Sequence, residues 1–380
     1  MMKLKTITLS ILAATPMMAQ ATDTRSMGMG GTGVASSNYL TSSFHNPALA
    51  ASYGERDNFG MILPVVSASA SDADDMIDKI DHFQMLDDEL QFDPTNPETI
   101  EEWKKALADL DGGKVSANVT LGAVVAIPNK YVSTNMFVRG EVVTLATTSI
   151  DESDFDKGGT DEPLNSTVQG LGGGILDIGF TFAKDFEVAD RELLVGISPK
   201  FQQLYAVNYS NTVDGFDEDD FNFDDEYTKS SGFNIDLGVA YSLTDNIMLG
   251  LSGRNLISNT LETNESLGQK ATFQVKPEYT MGIAYNKRLY SLAIDVDLNE
   301  RQYFEEFKHS SQFARLGGEL NAWDWAQLRA GYKHSMTDYQ EDMVTAGIGL
   351  KPFGKFGLDI SGEYGKDNNY GVSAQMIFTF

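Results

Sequence analysis

Cysteine is absent from the 380 residues. That excludes disulfide scaffolds, thiol catalysis, iron–sulfur clusters and cysteine-bound zinc. Basic residues are scarce: 28 Lys and Arg stand against 55 Asp and Glu, a formal charge of −27. Nucleic acid, whose phosphates select a basic surface, is thereby excluded as a partner. Histidine is rarer still, with only His45, His82, His309 and His334. No pair of them has metal-ligand spacing, and there is no GxSxG elbow to present a nucleophile. Neither an enzyme nor a cofactor is expected. Beyond the first residues, no stretch holds the ~18 consecutive apolar residues of a spanning helix. The apolar fraction, 42%, is nonetheless too high for a disordered chain.

Lys3 and Lys5, an apolar run from Ile7 to Met18, and Ala19-Gln20-Ala21 stand in that order. This is the layout of a secretory signal peptide with an A-x-A cleavage site. Residues 1–21 are read as the signal, and Thr22 as the start of the mature chain.

Most of the remainder alternates with period two. Tyr370, Val372, Ala374, Met376 and Phe378 take turns with Gly371, Ser373, Gln375 and Thr379. Tyr290, Leu292, Ile294 and Val296 do so with Ser291, Ala293, Asp295 and Asp297, and Phe273, Val275, Tyr279, Met281 and Ile283 with polar neighbours. Successive strand side chains point to opposite faces, so each segment is a ribbon with one oily and one polar side. About 14 such strands can be read, from Asp57–Ala70 to Asn369–Phe380, one of them spanning Gln269–Asn286. Short and long links alternate between them, as in barrels with short periplasmic turns and longer outer loops. The fold class is therefore all-β: an antiparallel transmembrane β-barrel of about 14 strands over residues 57–380. Outer-membrane lipid is its expected solvent. Arg254, Asp295, Asp297, Arg315, Glu319, Arg329, Lys333, Lys355, Asp359 and Glu363 fall on polar faces. Charge facing hydrocarbon is costly, so they belong in the lumen.

Residues 22–56 do not read as strand. Gly28, Gly30, Gly31 and Gly33, followed by Asn46-Pro47-Ala48, suggest a compact glycine-turn plug inside the barrel. Residues 71–113 form the longest insertion, on the outer side. Asn96-Pro97 is a helix start, and Ile100, Trp103, Leu107 and Leu110 recur at helical spacing. Two short amphipathic helices over the barrel mouth are expected. The densest acid lies in Asp214–Glu226; divalent cations, shared with anionic lipopolysaccharide, are candidate partners there, although a solvated loop is the plainer reading. Pro64, Pro199 and Pro277 fall inside expected strands. Proline lacks a ladder donor, so each marks a bulge, and Pro64 is the candidate for a kink that opens the wall.

The glycine-rich stretch Ser26–Val34, the downstream Asn46-Pro47-Ala48 and the strands running to a terminal Phe380 resemble the FadL-type long-chain fatty-acid transporters of outer membranes. Within that group the chain is most similar to the exported plasmid-transfer TraF-like barrels. The resemblance implies a 14-stranded barrel plugged by its N-terminus. It implies passive passage of a hydrophobic small molecule, fatty-acid-like or aromatic, past the plug and out sideways through the wall. It also implies that Phe380 is the end recognised by the barrel-assembly machinery. The alternative is a surface structural or interaction protein with a sealed lumen, serving conjugation, adhesion or phage contact.

Overall fold

The computed structural model describes residues 23–380 apart from 55–56, 73, 161, 217–226, 308, 324, 353 and 367. The expected signal segment and most of the acidic run Asp214–Glu226 lie outside the described residues.

Fourteen strands close into one antiparallel barrel. The wall begins with β1 (Gly60–Ser71), β2 (Lys114–Ile127), β3 (Ser133–Ser149), β4 (Thr167–Val188), β5 (Arg191–Thr212), β6 (Thr228–Thr244) and β7 (Ile247–Arg254). Two small inner ribbons interrupt the count: β8 (Asn259–Glu262) pairs with β9 (Thr272–Val275), and β12 (Arg301–Gln302) with β13 (Ser310–Ser311). The wall resumes with β10 (Glu278–Asn286), β11 (Tyr290–Asp297), β14 (Phe313–Trp323), β15 (Ala326–Ser335), β16 (Met343–Leu350), β17 (Phe356–Gly365) and β18 (Asn369–Thr379). β18 closes the ring on β1, from Gly60 opposite Thr379 to Ser71 opposite Asn369. Closure leaves no sheet edge, the condition for a sheet to stand in lipid.

The alternation sorts as oily outside and polar inside. Tyr370, Val372 and Met376 of β18 face outward, while Ser373 and Gln375 are buried within. Asp295, Asp297, Arg315, Glu319, Arg329, Lys333, Asp359 and Glu363 are all buried on the inner side. Lys355 is the exception, exposed in the turn before β17. The wall is of uneven height: β4 and β5 have 22 residues each, β7 and β11 only 8.

One expected strand is corrected. Gln269–Asn286 does not run as a single ribbon, because β9 turns inward and the wall restarts at Glu278. Phe273 and Val275 share the phase of Tyr279 and Met281 in sequence but are buried inside, in a cluster with Val143, Leu171, Ile175, Leu204 and Tyr303. The wall accommodates them by a glycine: a Cβ on Gly173 would stand 2.1 Å from the Phe273 ring.

The insertion after β1 forms α3 (Met76–Phe92) and α4 (Pro97–Asp109), numbered after two short plug helices, α1 (Thr24–Gly28) and α2 (Ser42–His45). Asn96 caps α4 by accepting from the Glu98 amide at 3.1 Å. The apolar faces of α3 and α4 meet each other, with the rings of Phe83 and Trp103 5.4 Å apart. They also meet Leu164, Val168 and Val213 beside the outer ends of β4 and β5. The inner ribbons pack on the inward rows of β3, β4 and β5 around Phe273.

The adjoining loop is pinned by Asp154, which is fully buried. Its carboxylate accepts from the Ser166 amide and hydroxyl, both at 2.6 Å, and pairs with Lys157 at 2.8 Å. Burial pushes this carboxyl up, but Lys157 and Ser166 outweigh it and hold it below the usual aspartate value. A depressed folded value stabilises the loop above the unfolded aspartate pKa, and that contribution is lost as pH falls through the folded one. Asp154→Ala is expected to speed amide exchange over 151–166 by roughly tenfold at pH 7. In the unmutated protein, protection should persist until the pH drops below the ordinary carboxylate range. Hydrogen exchange read by mass spectrometry checks both.

Candidate functional site

Residues 23–51 fill the lower lumen almost without solvent exposure. Asp23 starts α1 by accepting from the Ser26 amide at 3.1 Å. After α1 the chain reverses through Gly30 and Gly31, at φ +68° and +81°, the left-handed region where glycine carries no steric penalty. Space is the second reason for glycine. A Cβ on Gly30 would lie 2.7 Å from the Leu316 carbonyl, one on Gly28 2.8 Å from the Ser361 hydroxyl, and one on Gly33 2.4 Å from the His45 ring. Gly31 is looser, with a Cβ there 3.1 Å from Arg315 Cδ.

Asn46-Pro47-Ala48 is a second docking point. The Asn46 amide donates to the Val34 carbonyl at 2.8 Å, within the plug, and to the Val239 carbonyl at 3.1 Å, on the wall. Its own oxygen caps the 3₁₀ turn Pro47–Ala51 by accepting from the Ala48 amide at 3.1 Å. The wall is bare where this turn rests. A Cβ on Gly196 would meet the Pro47 carbonyl carbon at 2.3 Å, and one on Gly238 would meet Asn46 Oδ1 at 1.9 Å. Gly250, Gly317 and Gly331 give the same seat to Val34, Met29 and Gly30. The inward glycines of the strands were not singled out in the sequence, because a missing side chain leaves no mark in a hydropathy pattern.

Ions hold one side of the plug. Arg25 donates to both oxygens of Glu319, at 2.9 and 3.2 Å. Glu319 also accepts from Arg329 at 2.8 Å, and Arg329 pairs with Asp359 at 3.2 Å. Asp295 accepts from the Gly33 and Val34 amides at 2.7 and 2.9 Å. His45 and Asp23 pair inside the plug at 2.5 Å. Wall residues pair among themselves too: Arg315 with Asp297 at 2.7 Å, and Lys333 with Glu363. The other side is apolar. Tyr39, Leu40 and Phe44 pack on Ile62, Val65, Val124 and Phe137 of β1–β3.

That apolar side faces an irregularity in the wall. Leu63 and Pro64 oppose a single residue on each neighbouring strand, so β1 bulges against both β18 and β2. Ile62 and Val65 are both buried, while Leu63 and Pro64 point outward. Pro199 lies mid-strand in β5, and the β4–β5 ladder lacks its pair and that of Ser198. Pro277 lies in no strand; it occupies the break between β9 and β10. Phe380 is exposed, its amide bonded to the Phe59 carbonyl at 3.0 Å.

Three cavities lie at or near the wall. An apolar one of about 400 Å³ lies on the outward rows of β3–β5, over Gly172 and Gly174 and beside Val142, Tyr205 and Tyr227. A smaller apolar one of about 60 Å³ lies at the bulge, between Leu63, Val125 and Met136. A third, of mixed lining and about 170 Å³, lies between the link from β9 to β10 and the segment around β12, beside Gln274, Glu278 and Arg301. Among the described residues, no group of three or more His, Asp or Glu is arranged to hold a metal ion.

Together these features define a membrane β-barrel of fourteen strands, closed by its own N-terminal segment. The chain belongs to the family described as "F plasmid transfer operon, TraF, protein", whose sequence profile matches residues 43–297. In structure it is similar to the Ralstonia pickettii toluene transporter TbuX, with a TM-score of 0.54 at 14% identity over 95% of this chain and 97% of that one. It is also similar to the Pseudomonas putida toluene transporter TodX, with a TM-score of 0.52 at 13% identity over 96% and 99%. A Pseudomonas aeruginosa FadL homologue matches more loosely, with a TM-score of 0.41 at 9% identity over 96% and 98%. No curated protein matches the chain by sequence.

Proposed function

We propose that this protein is a passive conduit of the outer membrane for hydrophobic small molecules, held here with its plug seated. The observation that carries the reading is the apolar seam between Tyr39, Leu40 and Phe44 of the plug and the β1 bulge. A charged lumen repels an oily solute, whereas this seam offers it apolar contact and ends where both ladders of β1 shift register. Partitioning supplies the motive force, since nothing else in the chain does. The fold shared with two toluene transporters supports the same reading. Phe380 at the closing strand is the end offered to the assembly machinery.

The cysteine-free chain permits a direct test. The γ oxygens of Thr24 and Ser373 stand 2.7 Å apart, joining plug to β18. Thr24→Cys with Ser373→Cys places two sulfurs close to the ~2.05 Å of a disulfide. In liposomes, the oxidised variant is expected to pass toluene at less than about a tenth of the rate of the reduced one, with dithiothreitol restoring it. If reduced and oxidised forms match protein-free liposomes, the conduit reading fails. The filled lumen favours the second reading, a surface interaction protein. That reading gains if permeability is nil and excision of 71–113 alone abolishes contact with a partner.

A further inference from the structure

A single exposed apolar residue needs no explanation, whereas an apolar line set in a charged face marks a surface for contact. α3 carries such a line. Its inner side, Met76, Phe83, Leu86 and Leu90, is buried against α4 and the loops beside β4 and β5. Successive helical residues turn by ~100°, so Met85 and Phe92 lie nearly in line, about 10 Å apart along the axis, on the side opposite that core. Met85 is 57% exposed and Phe92 91%, the barest large apolar side chain among the described residues.

Acid flanks the line on both sides. Asp81 and Asp88 run along one edge and Asp78 and Glu89 along the other, all four exposed. Among the described residues none of the four is ion-paired; the ion pair of this insertion, Lys104 with Glu101 at 3.9 Å, lies within α4. The neighbouring helix shows what an ordinary solvent face is here. α4 exposes Glu98, Glu101, Glu102, Lys105 and Asp109, and no large apolar side chain. Solvation accounts for that face. It does not account for Met85 and Phe92, whose exposure to water costs free energy.

A partner that covers the line must bring apolar surface to Met85 and Phe92 and positive charge to two rows of acid. Divalent cations would serve the acid and leave Phe92 bare. A second copy of α3 would set acid against acid. A helix with an apolar stripe between rows of Lys and Arg meets both demands at the same spacing. Residues 71–113 carry 14 Asp and Glu against three Lys, a field that draws such a segment in from a distance. α3 is about 25 Å long, and one face of it falls well short of the ~800 Å² that each partner buries in a stable complex. The contact is therefore transient and sensitive to salt.

We propose that the outer face of α3 is a docking site for a basic amphipathic helix of a partner protein, anchored on Met85 and Phe92 and aligned by the acid rows. The site goes beyond the conduit reading and does not depend on it.

The test uses the full-length protein in phosphatidylcholine nanodiscs, with empty nanodiscs as the reference. The probe is a synthetic helix about as long as α3, with a line of leucines between two rows of lysines, set against a scrambled peptide of the same composition. The ordered peptide is expected to bind about tenfold more tightly than the scrambled one at about 50 mM NaCl. Met85→Ser with Phe92→Ser should erase that preference. Asp81→Asn with Asp88→Asn should weaken the ordered peptide by about tenfold, a difference that shrinks at about 0.5 M NaCl. Glu98→Gln with Glu102→Gln removes as much charge from α4 and should change neither. All six positions are exposed, and heat-modifiable migration checks that each variant is folded. Equal binding of the two peptides, a preference that survives the loss of Met85 and Phe92, or an equal loss in the α4 variant overturns the inference. So does self-association that Phe92→Ser dissolves, which would assign the face to a second copy. Toluene passage in liposomes bears on the conduit alone.

Discussion

Gly238→Val is expected to unseat the plug while leaving the barrel assembled. A Cβ at this position would stand 1.9 Å from Asn46 Oδ1 and 2.9 Å from the Ala48 amide nitrogen. The neighbour is backbone and a capping side chain, not the flexible end of a long residue, so it cannot swing aside. Relief requires the 3₁₀ turn Pro47–Ala51 to lift, which breaks the Asn46 bonds to Val34 and Val239. Overpacking of this kind costs about 3 kcal/mol, roughly a hundredfold in the ratio of seated to displaced plug. The outward wall is unaffected, so heat-modifiable migration of the folded barrel should persist. Two readouts report the plug. Arg25 is the one Lys or Arg between residues 22 and 54, and cleavage after it by trypsin should rise from negligible to rapid. Ion conductance in planar bilayers should rise with it. Gly140→Ala is the control, because a Cβ there has nothing within 4 Å and both readouts should stay at wild-type values.

The second large effect is electrostatic. Glu319 lies between two guanidiniums, accepting from Arg25 of the plug and Arg329 of β15. Without Glu319, Arg329 would keep Asp359 at 3.2 Å, while Arg25 would lose the carboxylate it pairs with. Removing one partner of a buried ion cluster strands the other charge without water, at a cost of about 3–5 kcal/mol. Glu319→Ala should therefore lower the urea midpoint and expose Arg25 to trypsin. Arg25→Met added to Glu319→Ala should return part of the midpoint, because the orphaned plug charge is gone. Protein in which Glu319→Ala changes neither urea midpoint nor trypsin sensitivity would mean that the plug does not depend on this cluster. The two experiments divide the plug's attachment into its steric and ionic parts, which reside on different wall strands.

The barrel was legible in sequence because its two solvents, lipid and lumen, each imprint alternate positions. The strand ending in Phe380 and the charged rows of β14, β15 and β17 follow from that rule alone. The pattern failed at Gln269–Asn286. Phe273 and Val275 keep the outward phase, and only the third dimension tells that their segment has left the wall for an apolar core inside. Pro277, expected as a bulge inside one strand, stands instead between two, where the segment leaves the wall. In the plug, the glycines at 28, 30, 31 and 33 were visible as a motif, but their reason was not. Each faces a neighbour hundreds of residues away or across the plug's own turn, contacts that no local window contains. The ionic partners were equally hidden: Arg25 and Glu319 are 294 residues apart. The cavity beside Arg301 and Gln274 lies between two links, and loops leave no periodic trace.

The unequal strands also act on the surrounding bilayer. Eight residues rising ~3.3 Å each and tilted ~45° cover about 19 Å of depth, short of the ~25 Å oily band such barrels present. The flank of β7, β10 and β11 must pull the leaflets together, whereas the tall hairpin of β4 and β5 extends well past both of them. Lipid packing is looser where thickness changes abruptly. The membrane is thinnest on the flank behind which Arg301 is buried.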